Sequence, residues 1–136
     1  MPRRVLLVDD DPSVLLTLKA VLELHGFDVQ TAVSVTEAQR KLQAAAFDLV
    51  ITDVRMEREG SGFEVIRTAA QQPYRPATAV LTAYLPQLEQ WKAEPVDAIL
   101  VKPIATQDLV NQLESLLARH HPQSPDATPG SEPNSS

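Results

Sequence analysis

The chain reads as an α/β domain built on a parallel sheet, and two observations carry that reading. Short apolar runs alternate with stretches of helical periodicity, the pattern of βαβ units whose sheet is covered on both faces. Four of those runs also end in residues that carry chemistry. Val5-Leu6-Leu7-Val8 ends in Asp9-Asp10-Asp11, Leu49-Val50-Ile51-Thr52 in Asp53, Ala79-Val80-Leu81 in Thr82, and Ile99-Leu100-Val101 in Lys102-Pro103. Ligands of open parallel sheets sit at the carboxyl ends of the strands. An acid cluster, a carboxylate, a hydroxyl and an ammonium are therefore expected at one edge of one sheet.

The elements follow in order. After the first strand, Asp11-Pro12-Ser13 starts a helix, with acids at its positive end and proline in its first turn. Val14, Leu15, Leu18, Val21 and Leu22 recur at helical spacing, and Gly26 suits the stop. Phe27, Val29 and Thr31 alternate with polar residues, which predicts a less buried second strand. Ser34-Val35-Thr36-Glu37 is a capping-box pattern that opens a second helix through about Ala46, with Ala38, Leu42 and Ala45 as its apolar face. Phe47-Asp48 leads into the third strand. A third helix after Gly62 uses Phe63, Val65, Ile66 and Ala69, and the loop from Gln72 to Pro76 returns to the fourth strand. Leu85 to Glu94 holds a short fourth helix burying Leu88 and Trp91 and ended by Pro95. Thr106 caps the last helix, whose stripe is Leu109, Val110, Leu113, Leu116 and Leu117.

From His120 onward the composition turns to Ser, Asp, Thr, Gly and the prolines 122, 125, 129 and 133. Such a segment buries too little apolar surface to offset its ordering entropy. The expected organisation is one folded domain over 1–119 and a disordered tail or linker stub over 120–136.

Composition narrows the function. A chain of 136 residues is enough for one real core. Its formal net charge of −6 argues against a broad footprint for DNA or an anionic membrane. No basic patch or helix-turn-helix pattern follows residue 119. Cysteine is absent, so disulfides, thiolate metal sites and cysteine nucleophiles are excluded. The start from Met1 to Arg4 mimics the charged head of an export signal, but its apolar run stops after Val8 at three aspartates. No run approaches membrane-spanning length, so a cytoplasmic location is expected.

The ordered set Asp9-Asp10, Asp53, Thr82 and Lys102-Pro103 resembles the receiver (response-regulator) domain of two-component signalling, over about residues 4–118. The resemblance implies a flavodoxin-like fold: one doubly wound five-stranded parallel sheet in the order 2-1-3-4-5 with about five helices. It implies that Asp53 accepts a phosphoryl group from a sensor histidine kinase or phosphotransfer protein, with Thr82 and Lys102 contacting that group. It further implies Mg2+ held by Asp9, Asp10, Asp53 and the backbone carbonyl of Arg55, with Asp10 as direct ligand and Asp9 acting largely through water. A cis Pro103 would re-aim the loop after Lys102. The protein would catalyse only its own phosphorylation and dephosphorylation. It would act through contacts with an output protein, as a monomer or a weak phosphorylation-dependent homodimer, without direct contact to nucleic acid or membrane.

The chemistry needs these residue types. A carboxylate is a poor nucleophile toward a phosphoryl dianion because like charges repel. A hard divalent cation on one or two carboxylates relieves that repulsion, and a lysine supplies a compact point charge. Two unit charges about 4 Å apart repel by roughly 4 kcal/mol at an effective dielectric near 20, so an acid cluster eases when a cation enters. Asp11, nearest the helix start, reads as a cap.

Some residues depart from the family pattern. The loop Glu57-Arg58-Glu59-Gly60-Ser61-Gly62 is one residue longer than usual, with Glu57 where proline is common. Arg55 and Tyr84 flank the path of attacking water, which implies slow self-dephosphorylation. Ile99 stands where a rotating Tyr or Phe is typical, so the runner-up is a receiver-like interaction module working independently of phosphorylation. A hydrolase of the haloacid dehalogenase type needs a second acid where Arg55 stands, and no Gly-rich phosphate loop follows the first strand. His25, His120 and His121 show no ligand spacing.

Overall fold

The computed structural model describes residues 3–54, 61–82, 94–102 and 105–120. They form β1 (Arg4–Val8), α1 (Pro12–Leu24), β2 (Asp28–Ala32), α2 (Val35–Ala44), β3 (Leu49–Asp53), α3 (Gly62–Ala70), β4 (Ala77–Thr82), β5 (Ala98–Val101) and α4 (Thr106–Arg119). The strands make one sheet, all parallel, in the order β2-β1-β3-β4-β5. This is the expected doubly wound, flavodoxin-like arrangement. The helix expected over Leu85–Glu94 falls almost wholly outside the described residues, as do Leu88 and Trp91.

Two apolar layers explain why the inner strands carry unbroken hydrophobic runs. A parallel strand buried on both faces has no solvent side to spend polar residues on. Val5, Leu7, Leu49 and Ile51 pack beneath Leu15 and Leu22 of α1 and Leu109, Leu113 and Leu116 of α4. Leu6, Val8 and Val50, the alternate residues of the same strands, pack against Ala38 and Leu42 of α2 and Val65 and Ala69 of α3. The edge strands are less buried, as alternation in β2 predicts: Asp28 is exposed beside buried Val29, and Val101 of β5 is 38% exposed. A third cluster, Val54, Phe63, Ile66 and Val80, is met by the partly buried Val96 and Ile99.

Helix ends show where local sequence sufficed and where it did not. Asp11 caps α1, its Oδ1 accepting from the N–H of Ser13 at 3.0 Å and from its hydroxyl at 2.7 Å. Gly26 follows α1 with φ +92°, a left-handed conformation that favours glycine. Ser34 Oγ accepts from the N–H of Glu37 at 3.1 Å, and Glu37 reaches back to the N–H of Val33 at 2.8 Å, one residue beyond the usual partner of a capping box. Two expectations are corrected. Helix α2 stops at Ala44, where Ala45 turns to extended backbone, rather than near Ala46. Thr106 is the first residue of α4; Ala105 holds the cap position and no side chain caps that end.

Candidate functional site

The strand order places the site. The chain runs from β1 outward to β2, then returns to β3 and proceeds the other way, so the crevice between β1 and β3 is the sheet's topological switch point. Register then sets which residues meet. Val8 is level with Thr52, so the next residues, Asp9 and Asp53, leave the two strands side by side. Asp53 is level with Leu81, which puts Thr82 one step beyond it. Thr82 is level with Val101, and the N–H of Lys102 donates to the Thr82 carbonyl at 2.7 Å. Four strand ends thus step across the sheet.

Carboxylate oxygens of Asp9, Asp10 and Asp53 lie within 4.8 Å of one another. Lys102 Nζ stands 3.8 Å from Asp9 Oδ2 and 3.7 Å from Asp53 Oδ2, an ammonium bridging two of the three acids. The acids differ in surroundings. The Asp9 side chain is buried, with one oxygen accepting from the Asp11 N–H at 3.0 Å and the other turned to Lys102. Burial pushes its carboxyl above the ordinary range; the Asp11 hydrogen bond opposes that rise, and the nearby Asp53 adds to it. Asp10 is exposed and makes no hydrogen bond or ion pair with the described residues. Asp53 is intermediate and Thr82 is buried. Asp11 stands apart as a cap: its bonds to the hydroxyl and N–H of Ser13 hold its carboxyl below the usual range.

The donor set fits magnesium. All three ligand candidates are hard oxygens at one solvent-facing edge, and Mg2+ takes one or two carboxylates while keeping several waters. Asp10 has its oxygens uncommitted, whereas those of Asp9 are engaged by Asp11 and Lys102. The Arg55 carbonyl, Ala83, Tyr84, Pro103 and the loop 57–60 lie outside the described residues.

Two residues that sequence reading passed over also lie at the end of β3. The hydroxyl of Thr52, wholly buried, donates to the Asp53 carbonyl at 2.9 Å. Gly62, the first residue of α3, approaches the same carbonyl so closely that a Cβ there would lie 2.0 Å from its oxygen. A glycine where any better helix former would serve was the one available signal. Nothing local marks Thr52, since strand threonines are common.

A parallel sheet in this order with an acid triad and a lysine at its switch point defines a receiver-type signalling domain. The comparisons agree: residues 5–114 match the family model described as the response regulator receiver domain. The chain belongs to the response regulator receiver family. Among curated relatives, it is 30% identical over 120 residues to the transcriptional regulatory protein TrcR of Mycobacterium tuberculosis, covering 87% of this chain and 46% of that one. It is 34% identical over 124 residues to the transcriptional regulatory protein GlrR of Escherichia coli, covering 89% of this chain and 28% of that one. The chain thus spans less than half the length of these relatives. Among solved structures, the chemotaxis response regulator CheY4 of Vibrio cholerae is 31% identical with a TM-score of 0.77, covering 85% of this chain and 99% of that one. The response regulator TrrA of Thermotoga maritima, solved in complex with Mg2+ and BeF, is 30% identical with a TM-score of 0.75, covering 84% and 98%.

Proposed function

We propose that this receiver is phosphorylated on Asp53, in a Mg2+-dependent reaction with a sensor histidine kinase or phosphotransfer protein, and that the added charge switches its contacts with an output protein. The observation that carries this reading is the convergence of Asp9, Asp10 and Asp53 within 4.8 Å, with Lys102 reaching both Asp9 and Asp53. Phosphoryl transfer asks a protein for positioning and charge stabilisation more than for covalent chemistry. An Asp53 oxygen forms the new bond to phosphorus as the bond to the donor's leaving group breaks. Lys102, which reaches both Asp9 and Asp53, would follow a phosphoryl oxygen with its ammonium, and Thr82, at the adjacent strand end, would donate its hydroxyl to the same group. Asp10, uncommitted and open to solvent, would hold Mg2+ together with Asp9 and Asp53, and the ion would offset negative charge on nucleophile and phosphoryl group. Water attacking the same phosphorus later restores Asp53. The chain catalyses only these reactions on itself.

The Mg2+-bound TrrA structure supports the cation assignment, and the transcriptional regulators among the relatives support an output protein or domain as the downstream contact. The acidic balance supports action without direct contact to nucleic acid. No described helix is long and apolar enough to cross a membrane; membership of the receiver family supports a cytoplasmic site of action. The competing reading, an interaction module that works without phosphorylation, is favoured by Ile99. That residue is packed against the Val54, Phe63, Ile66 and Val80 cluster and has no hydroxyl or ring to reorient.

The test is intact-mass analysis after incubation with acetyl phosphate and Mg2+. The wild-type protein is expected to gain one phosphoryl group and Asp53→Asn none. Labelling that persists in Asp53→Asn would overturn the acceptor assignment, and an unlabelled, folded wild type would favour the competing reading.

A further inference from the structure

Two residues, Thr52 and Gly62, meet the main-chain carbonyl of Asp53. Thr52 is the polar residue in an otherwise apolar strand interior, wholly buried, on the face of β3 that Val50 turns toward α2 and α3. A buried hydroxyl must find an acceptor or forfeit its hydration. This one donates to the carbonyl of the very next residue, Asp53, at 2.9 Å. A valine would fill the same space and suit a strand equally well, so packing alone does not call for the oxygen.

Gly62 closes on the same carbonyl. A Cβ on Gly62 would lie 2.0 Å from the Asp53 oxygen and 2.8 Å from the Val54 Cα, and the Gly62 N–H donates to the Val54 carbonyl at 2.9 Å. Its φ lies outside the left-handed region, so conformational freedom is not what the position requires. Alanine would favour the helix by about 1 kcal/mol on propensity; only the close approach excludes it.

We infer that Thr52 and Gly62 are positioning residues for the acceptor. Together they fix the peptide between Asp53 and Val54, and with it the direction in which the Asp53 carboxylate leaves the strand toward Asp9, Asp10 and Lys102. The inference rests on Asp53 being the phosphoacceptor.

The experiment measures the rate of phosphorylation by acetyl phosphate in saturating Mg2+, with its dependence on acetyl phosphate concentration, for wild type, Thr52→Val, Thr52→Ser, Gly62→Ala and Asp53→Asn. Circular dichroism verifies that each is folded. Thr52→Val is expected to lower the limiting rate about three- to tenfold, the range one hydrogen bond supports, with the half-saturating concentration unchanged. Thr52→Ser keeps the hydroxyl and is expected to recover most of the rate, a rescue that loss of packing would not give. Gly62→Ala is expected to slow the reaction by about tenfold or more, since small displacements of a reacting group are costly; should it not fold, the Thr52 pair decides. A Thr52→Val rate equal to wild type, or no recovery in folded Thr52→Ser, overturns the inference while leaving Asp53 as acceptor. An unlabelled wild type, or a labelled Asp53→Asn, overturns the acceptor assignment itself.

Discussion

Asp9 and Asp10 are neighbours in sequence and occupy different environments: one buried and held by a backbone N–H and an ammonium, the other exposed with free oxygens. At the outer limit of 4.8 Å, a pair of these acids, both ionised, repels by roughly 3.5 kcal/mol at an effective dielectric near 20; water around Asp10 and the charge of Lys102 reduce that figure. Asp10→Asn is therefore expected to stabilise the metal-free protein by about 1 kcal/mol. In wild type, Mg2+ at about one hundred times its dissociation constant is expected to add about 2.7 kcal/mol, and in Asp10→Asn most of that gain disappears. Urea unfolding with and without Mg2+ measures both. Asp9, Asp10, Asp53, Thr82 and Lys102 were all legible in the sequence because each ends an apolar run, and strand ends are where a parallel sheet exposes functional groups. Thr52 and Gly62 were not: the Thr52 hydroxyl turns to the carbonyl of its own neighbour, which nothing in the sequence marks, and Gly62 meets that carbonyl only through the packing of α3 on β3.

Among the elements, those with a strong period or a local cap were read correctly from sequence alone: Asp11 and Gly26 at the ends of α1, Ser34 and Glu37 at the start of α2, and the buried stripes of the uncapped α3 and α4. Thr106 was misplaced as a cap by one position: Ala105 has the extended backbone of the cap, and Thr106 already lies in the helix. Ties between elements were illegible. Arg67 of α3 donates from two nitrogens to both oxygens of Glu94, a bidentate clamp ahead of β5. Tyr74 donates its hydroxyl to the carbonyl of Leu42 in α2 at 2.8 Å, and burial pushes its pKa up to about 12. A folded-state pKa above the unfolded value near 10 means that the neutral phenol stabilises the fold fully below pH 10. That contribution is lost as pH rises toward 12. Tyr74→Phe is expected to cost about 0.5–1.5 kcal/mol at pH 7, the range for one hydrogen bond. It should also flatten the loss of stability above pH 10, measured by urea unfolding across that range.

Across the whole molecule, the register of β1, β3, β4 and β5 brings four strand ends together as one unit at one edge of the sheet. The composition of residues 121–136 predicts a tail that takes no part in it; His120, which the sequence reading also gave to that tail, instead meets the Arg75 carbonyl at 2.8 Å and Asp97 at 3.8 Å. Their removal is expected to change the unfolding free energy by less than about 0.5 kcal/mol and to leave Mg2+ binding unaltered, checked by the same unfolding curves. The fold order followed from resemblance, not from periodicity, since handedness rules only permit 2-1-3-4-5 among other orders; the sheet has that order. The claim that everything else rests on is that Mg2+, Lys102 and Asp53 together hold a phosphoryl group. Fluorine NMR of the protein with beryllofluoride and Mg2+ tests it most directly. A bound fluorine resonance is expected in wild type that requires Mg2+, weakens in Lys102→Ala and vanishes in Asp53→Asn. A bound resonance that survives Asp53→Asn, or none in folded wild type, would contradict it.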